Sequence, residues 1–492
     1  MRPAIERGLT SKASRVALWS LFGLLVAAFV AAISSLLING AIATSKKEIA
    51  AAAVLAAIPL MLYGAVRKPF VFPMSLYAVL VPFDNLLALD PRYGTLTKLV
   101  AICAGAAFVF LFLRTQRIIS PDRVVFAWLG LLVWMALSVF WAVDPDTAVS
   151  TLVTYAELIL LYVVVSIAPV TRLDFNIFGG AIVVGALASS IYAIHLFHSG
   201  IDIHNAQIGQ QLTSRVIVQA GEARIDPNAF AAALLFPISL VFMLVLQKRW
   251  SLSKLALFGL LLILLGGVYV TSSRGAIVAL GALMLYLIFK SRYRAQVLSF
   301  SVVGLAAVMV LTNPFARFGN ALQTGGAGRL SIWKVGLEAL KQYWFAGAGV
   351  GNFPYAYDQS FITTYERVYA QWHRVAHNTP LTLAVELGIV GLAVGLLGWY
   401  LQYRTLHFVR RYDSLYDLRV ALEGGLVALF VASLFLSNFV DKYVWLGFSL
   451  MAAARSLALA RASTPPYHGQ LVTLQGSEMA SMGTAQKVAE HA

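Results

Sequence analysis

Long apolar runs recur along almost the whole chain, and they constrain its fold more than any other feature. A run of roughly 20 mostly apolar residues can cross the hydrocarbon core of a bilayer as a helix. About fourteen such runs lie between residues 16 and 460. Charged residues make up only 12% of the sequence, against roughly 25% in soluble domains. The sequence therefore predicts a protein that crosses the membrane many times.

The predicted fold is an all-α polytopic membrane protein with about 14 transmembrane helices, and at least 12. The predicted segments are 16–38, 48–66, 70–88, 96–114, 123–143, 148–168, 174–197, 227–247, 253–271, 275–290, 296–312, 379–401, 418–437 and 441–460. The third segment contains Pro73 and Pro82, so it is either a full span or a broken, re-entrant piece. The prediction is one membrane domain, 1–460, followed by a disordered polar tail, 461–492.

The basic residues indicate the orientation. Lysine and arginine collect in the short loops of one side, which the positive-inside rule places in the cytoplasm with both termini. The formal net charge of +15 therefore indicates membrane orientation, and we expect no nucleic-acid partner. The first apolar run lacks a clear cleavage site and is expected to remain as a span. Cys103 is the single cysteine, which excludes disulfides and cysteine-based metal sites.

Two outer loops are too long to be simple turns, because loops of more than about 15 residues are usually functional or disordered. They cover 199–225 and 313–378. Apolar residues recur at helical spacing in the second loop: Leu330, Trp333, Leu337 and Leu340. This pattern predicts an amphipathic helix. The helix lies either on the membrane surface or on the outer end of the protein's own helix bundle.

The first of these loops ends in an arrangement that suits an anion. Arg224 precedes Asp226, Pro227 and Asn228 where the chain enters a predicted span. Asp226 is a favourable N-cap and Pro227 suits the first turn of a helix. The guanidinium group and the positive end of the helix dipole then coincide, which predicts an anion site. The alternative is a capped helix with an interfacial arginine.

A second arginine lies in the tight turn Ser272-Ser273-Arg274-Gly275. The flanking apolar runs are too close together to allow a loop, so Arg274 is held at the membrane boundary. A charge there is costly and is usually functional or paired. Ser273 suits both capping of the next helix and donation to phosphate, and Gly275 permits close approach of a ligand. The alternative is a snorkelling arginine in a turn.

The second outer loop adds a glycine-rich stretch and a histidine. Gly347, Gly349 and Gly351 either expose backbone amides to phosphate or form a plain flexible turn. His377 closes the loop beside Asn378, just before a long span. Histidine accepts protons near neutral pH, so His377 is either a proton acceptor or a structural, capping histidine.

Two possible metal sites are weak. His373 and His377 are four residues apart, but no cysteine supplies a third zinc ligand. Asp144 and Asp146 form an acidic pair, but the same pattern suits a turn and a helix start. We expect neither pair to bind a metal.

A polar group lies between the last two predicted segments. It consists of Asn438, Asp441 and Lys442. Asp441 and Lys442 either pair with the arginines of the site or mark the turn, and the sequence does not decide between these interpretations.

Together, the outer arginines suit a lipid-linked diphosphate. Arginine binds phosphate oxygens with two parallel hydrogen bonds. Because no ATP is present outside the cytoplasm, a sugar must arrive there already activated, and polyprenyl diphosphate is a leaving group that crosses a bilayer. Attack by an acceptor hydroxyl would expel this diphosphate, and the arginines would stabilise its developing charge, as metal ions do elsewhere. His377 would take the acceptor's proton or position the acceptor.

These residues resemble a known family, the O-antigen ligases of Gram-negative bacteria. Its superfamily also contains O-antigen polymerases and protein O-oligosaccharyltransferases. The resemblance rests on Arg224 with Asp226–Asn228, the Ser273–Gly275 turn, the glycine stretch and His377–Asn378, and it covers roughly residues 70–460. It implies a GT-C-like membrane fold with a long helical periplasmic loop.

The implied activity is the transfer of O-antigen polysaccharide from undecaprenyl diphosphate to a sugar hydroxyl of the lipid A core. In this family it occurs at the periplasmic face of the inner membrane, with inversion and without metal or other cofactor. By this resemblance Arg215, Arg224, Arg274 and Ser273 contact the diphosphate, and His377 serves the acceptor hydroxyl. Arg215 enters through the resemblance alone. The supporting residues are Asp226, Asn228, Gly349, Gly351 and Asn378.

Three alternatives stay open from the sequence. An O-antigen polymerase uses the same donor but a lipid-linked acceptor. A protein O-oligosaccharyltransferase often carries a large soluble carboxy-terminal domain, which the short polar tail is not. A membrane transporter would have charged residues near mid-membrane and related halves, whereas these charges gather at the membrane faces.

Overall fold

A computed structural model provides the structure of the protein. It describes residues 68, 70–90, 94–200, 203–208, 211–220, 223–312, 328–364 and 372–462. The first two predicted segments, 16–38 and 48–66, and the predicted tail from residue 463 lie outside the described residues.

Helices make up most of the described chain. They are α1 Val71–Leu80, α2 Leu96–Thr115, α3 Arg123–Ser138, α4 Pro145–Ile167, α5 Arg172–His198, α6 Pro227–Ala233, α7 Leu235–Gln247, α8 Leu252–Val270, α9 Arg274–Lys290, α10 Arg294–Thr312, α11 Arg329–Tyr343, α12 Phe353–Thr364, α13 Thr379–Arg404, α14 Tyr416–Ser433 and α15 Lys442–Ala462. Two 3-10 helices occur, one following α1 and one following α3: Val81–Leu87 and Val139–Trp141.

In the described part of the chain, eight helical stretches are long and apolar enough to cross a membrane. They are α2, α3 with its 3-10 turn, α4, α5, α6 continued by α7, α8, α13 and α15. Two shorter apolar stretches, Val71–Asp84 and Arg294–Ala307, lie among them. The protein is therefore an all-α polytopic membrane protein, as predicted, while the exact number of spans stays a prediction.

The third predicted segment is broken. Helix α1 ends after 10 residues, and the chain continues as a 3-10 helix that contains Pro82. Proline has no backbone N–H to donate to the ladder of an α-helix, which accounts for the change of helix type. Of the two interpretations of this segment, the structure therefore supports the broken piece.

Three short antiparallel strand pairs lie in the loops: β1 Ala88–Asp90 with β2 Gly94–Thr95, β3 Ile203–Ile208 with β4 Gln211–Val216, and β5 Val218–Ala220 with β6 Ala223–Ile225. The last two pairs occupy the predicted outer loop 199–225. Each strand pairs only with its neighbour in sequence, so these hairpins leave the helical class of the fold unchanged.

An aromatic cluster anchors one end of α15. Trp128 of α3 is fully buried and stacks on Phe448 at 5.4 Å between ring centroids. Its ring also lies 5.6 Å from Phe439 and 5.4 Å from Trp445. Because Phe439 belongs to the loop between α14 and α15, this packing fixes that loop against the bundle.

The predicted amphipathic helix exists as α11. Its buried residues are Ile332, Val335, Gly336 and Ala339. They join a core cluster with Phe353 of α12 and Val385 of α13, so α11 packs on the bundle's own end. Leu330 and Leu337 are more than half exposed.

Candidate functional site

A cavity of about 340 Å³ lies where several helices begin at one end of the bundle, which we call the site end. Four parts of the chain that are distant in sequence form its wall. They are the 3-10 helix after α1, the start of α6, the segment before α13, and the loop between α14 and α15. Polar side chains from each part line it: Asp84, Asp226, His377, Asn438, Asp441 and Lys442.

Asp226 enters this wall as the N-cap of α6. Its carboxylate accepts hydrogen bonds from the backbone N–H groups of Asn228 at 2.7 Å and Ala229 at 3.1 Å, and proline follows at the first turn. The predicted cap is thus confirmed. Arg224 lies two residues earlier in β6, and Arg215 lies in β4. The side chains of both arginines lie outside the described residues, so their contacts with a diphosphate stay a prediction.

The turn between α8 and α9 also forms as predicted. Ser273 is the N-cap of α9: its buried hydroxyl accepts from the backbone N–H of Ala276 at 3.3 Å. Ser272 has a φ of +52°, a left-handed conformation that a turn this tight requires. Arg274 is the first residue of α9 and is half-buried. A Cβ on Gly275 would lie 3.3 Å from Phe435, so this turn packs against the α14–α15 loop.

A small recess lies between this turn and the cavity wall. It is lined by Asn228, Ser273, Gly275 and Arg329, and by Leu436, which also lines the main cavity. The structure therefore brings Asn228 and the Arg274 turn to the same neighbourhood as His377. Arg329 was not singled out from the sequence, because it lies in a long loop without a local motif.

His377 lies on the cavity wall in an unusual conformation. Its φ is +48°, a region that costs a non-glycine residue about 1–3 kcal/mol and is often found at functional sites. Burial and the nearby charges of Arg329 and Arg374 lower the pKa of His377, and Asp226 opposes them. A lowered pKa keeps the imidazole neutral near pH 7, the form that accepts a proton.

Several hydrogen bonds tie the segment after His377 to the α14–α15 loop. The amide of Asn378 donates to the carbonyl of Leu434 at 3.1 Å. The hydroxyl of Thr379 lies 2.7 Å from the carbonyl oxygen of Leu436 and 3.0 Å from Oδ1 of Asn438. Asn378 is also the N-cap of α13. These contacts hold the backbone next to His377 in place, which gives Asn378 a positioning role.

Lys442 does not pair with the arginines of the site. Its ammonium group lies 2.8 Å from both carboxylate oxygens of Asp84 and 2.8 Å from the hydroxyl of Thr97. Asp84 belongs to the broken third segment, so the ion pair ties that segment to the start of α15. Of the two interpretations, pairing with the site arginines is therefore wrong for Lys442.

Asp441 is the most strongly perturbed acid of the cavity wall. Burial raises the pKa of Asp441 to about 7, and the negative charges of Asp226 and Asp84 add to this effect. A hydrogen bond with Tyr443 acts in the opposite direction. A raised pKa makes Asp441 a second group in the cavity suited to proton transfer.

The glycine stretch docks onto α13 instead of presenting its amides outward. Gly347, Gly349 and Gly351 all have positive φ values, of +82°, +101° and +76°. The N–H of Gly349 donates to the carbonyl of Glu386 at 2.8 Å, and that of Gly351 donates to the Glu386 carboxylate at 2.9 Å. Because these amides are used within the chain, we assign the glycines to loop docking and not to phosphate contact.

Glu386 is the anchor of this docking. It is 5% exposed, and its second carboxylate oxygen accepts from the N–H of Phe353 at 3.2 Å, at the start of α12. The glycine stretch docks beside a break in α13 at Gly388, whose φ is +66°. This carboxylate was not singled out from the sequence, because nothing local shows that Glu386 faces another part of the chain.

The residues of the two weak metal hypotheses have other partners. Asp144 is the N-cap of α4, and its hydrogen bonds with Thr147 lower the pKa of its carboxyl group. Nδ1 of His373 lies 2.6 Å from the carboxylate of Asp358. Within the ranges that the structure describes, no group of three or more His, Cys, Asp or Glu residues could hold a metal ion.

Comparison with known proteins adds one finding. Residues 258–396 match the family model described as "O-Antigen ligase". The matched stretch begins in α8 and includes the Arg274 turn, the glycine stretch, His377 and the break in α13. No curated protein matches the chain.

Proposed function

We propose that the chain is an O-antigen ligase, a membrane enzyme of the glycosyltransferase type, because residues 258–396 match the family model of that description. The proposed reaction moves O-antigen polysaccharide from undecaprenyl diphosphate to a sugar hydroxyl of the lipid A core. The observation that carries this proposal is the cavity lined by both His377 and Asp226, beside the Arg274 turn. The site end then faces the periplasm of a bacterial inner membrane, with both termini in the cytoplasm.

On the donor side, positively charged side chains bind the diphosphate. Arg274, with Arg224 and Arg215 from the hairpin loop, contacts the diphosphate through bidentate hydrogen bonds. Ser273 contributes its hydroxyl proton, since the oxygen of that hydroxyl already caps α9. As the bond between the anomeric carbon and the diphosphate oxygen breaks, these groups stabilise the charge on the leaving oxygen.

On the acceptor side, neutral His377 is the proton acceptor. The acceptor hydroxyl attacks the anomeric carbon from the face opposite the diphosphate, and a new glycosidic bond forms. The hydroxyl proton passes to His377, and the electron pair of the broken bond leaves with undecaprenyl diphosphate. A single displacement of this kind inverts the anomeric configuration and needs no metal ion.

The proposal is tested first by gene deletion and gel analysis of lipopolysaccharide. We expect bare core on the gel and accumulation of lipid-linked polymer, both reversed by the wild-type gene. Core that carries one repeat unit would instead identify a polymerase. An unchanged ladder would contradict both activities.

A substitution tests the diphosphate contact. Arg274→Lys is expected to lose most of the transfer activity of the purified enzyme, because lysine cannot replace a bidentate contact. A matched control is Arg410→Lys, an exposed arginine beyond the far end of α13. Near wild-type activity of Arg274→Lys, with normal thermal stability, would exclude the proposed role of Arg274.

A further inference from the structure

One face of α11 carries an apolar stripe that the described residues leave uncovered. Leu330, Leu337 and Trp344 are 52%, 58% and 62% exposed. They are spaced seven residues apart, which is almost two helical turns and places them in one line. Phe345 extends the stripe, since its ring packs on Trp344 at 5.5 Å and it is 55% exposed.

The orientation of this stripe is fixed. The opposite face of α11, with Ile332, Val335 and Ala339, is buried against α12 and α13. At the edge of the stripe, the indole N–H of Trp333 donates to the carbonyl of Ala376 at 2.9 Å. Because the helix is held from its other side, the apolar stripe must face away from the protein.

The end of the stripe lies level with the outer rim of a membrane span. The indole N–H of Trp141 donates to the carbonyl of Ala346 at 3.4 Å, and the backbone N–H of Val143 donates to the carbonyl of Ala348 at 3.0 Å. Trp141 ends a span that begins at Arg123. From Arg123 to Trp141 the helical rise is about 27 Å at 1.5 Å per residue, which is close to the roughly 30 Å thickness of the hydrocarbon core.

The neighbouring end of α3 carries exposed aromatic side chains, which are typical of a lipid-facing surface. Phe140 is 86% exposed and Trp141 is 40% exposed at this rim. Aromatic residues of membrane proteins concentrate at this depth, where a ring meets both acyl chains and headgroups. The stripe therefore continues a lipid-contacting surface. Lys341, which is exposed and lies beside the stripe on the helix, is placed to reach the headgroups.

We propose that the apolar stripe of α11 inserts into the lipid leaflet at the site end and binds phospholipid acyl chains. One side of the helix then packs on the bundle while the other side lies in the membrane. Trp333 is hydrogen-bonded to Ala376, the residue before His377. Insertion of α11 into the leaflet therefore also holds His377 at the level of the lipid surface. A lipid-embedded acceptor would reach the cavity from that surface, a consequence that rests on the proposed function.

The test measures depth in the membrane. In the full chain with Cys103→Ser, a nitroxide is attached at Leu337→Cys or at Gln342→Cys, and each protein is reconstituted in phospholipid nanodiscs. Both positions are exposed on α11, but they lie about 140° apart around the helix. We expect a several-fold higher ratio of oxygen to nickel-chelate collisions at position 337 than at position 342.

Equal nickel accessibility at the two positions would overturn the proposal. Protection of position 337 from both quenchers would also overturn it, because a protein and not lipid would then cover the stripe. Thermal unfolding of each labelled protein verifies that it is folded. The measurement requires no catalysis, so its failure is distinguishable from failure of the proposed function.

Discussion

Gly388 is the position at which a single methyl group should disturb the site most. It has a φ of +66° and a ψ of −168° inside α13. A Cβ at this position would overlap the carbonyl group of Phe345 and lie 2.7 Å from the backbone nitrogen of Ala346. Because the obstacle is backbone and not a flexible side chain, Gly388→Ala must push the glycine stretch away from α13.

The expected cost has two parts. A backbone conformation of this kind costs a residue with a side chain about 1–3 kcal/mol. The displacement also breaks the hydrogen bond from Ile389 N–H to the Trp344 carbonyl, 2.8 Å. The loss of one such bond costs about 0.5–1.5 kcal/mol. A total of about 1.5–4.5 kcal/mol is a substantial part of the roughly 5–15 kcal/mol that typically separates folded from unfolded protein.

The assay is thermal unfolding of the purified protein in detergent, followed by intrinsic fluorescence and by size-exclusion chromatography. Gly130→Ala in α3 is the matched control, because a Cβ there meets nothing within 4 Å. The control is expected to unfold at or slightly above the wild-type temperature, since alanine favours a helix by up to about 1 kcal/mol. Gly388→Ala is expected to unfold several degrees lower. If both variants unfold together, the docking interpretation is wrong.

Two further predictions concern the charges around His377 and the segment before it. Activity that needs neutral His377 is lost as pH falls through the pKa of His377; Asp226→Asn should therefore move this loss to lower pH, and Arg329→Gln should move it to higher pH. Purified variants assayed across pH test this, and two shifts in the same direction would contradict it. Asp358→Ala removes the partner of His373 and should reduce transfer about 10–100-fold by displacing the following segment. The thermal stability of this variant should change little, because a partly exposed pair contributes only about 0–1 kcal/mol; unchanged transfer would refute the positioning role.

Local chemistry was predictable from the sequence. Apolar runs of membrane-spanning length identified the helical membrane fold, because that requirement depends only on the composition of a window of residues. The helix starts at Asp226 and Ser273 were predicted for a similar reason. A cap bonds to backbone groups two or three residues away, so its residues are adjacent in the sequence.

The sequence left open which face of α11 meets the rest of the chain. Helical spacing correctly indicated α11, but Leu330 and Leu337 lie opposite the buried face. The spacing of apolar residues predicts a helix, yet a helix that contacts both protein and membrane has apolar residues on two sides. Only the packing against Phe353 and Val385 determines which side is the core.

The sequence by itself determined that this chain is a helical membrane protein with capped helices and two arginines at a predicted boundary. Tertiary structure decided which groups surround His377. Lys442 is neutralised by Asp84, 358 residues away in sequence, and the glycine amides are occupied by Glu386. Such pairings depend on how helices are arranged around the cavity, and electrostatic and hydrogen-bond energies depend on distances in space. Those distances cannot be derived from the separation of residues along the chain.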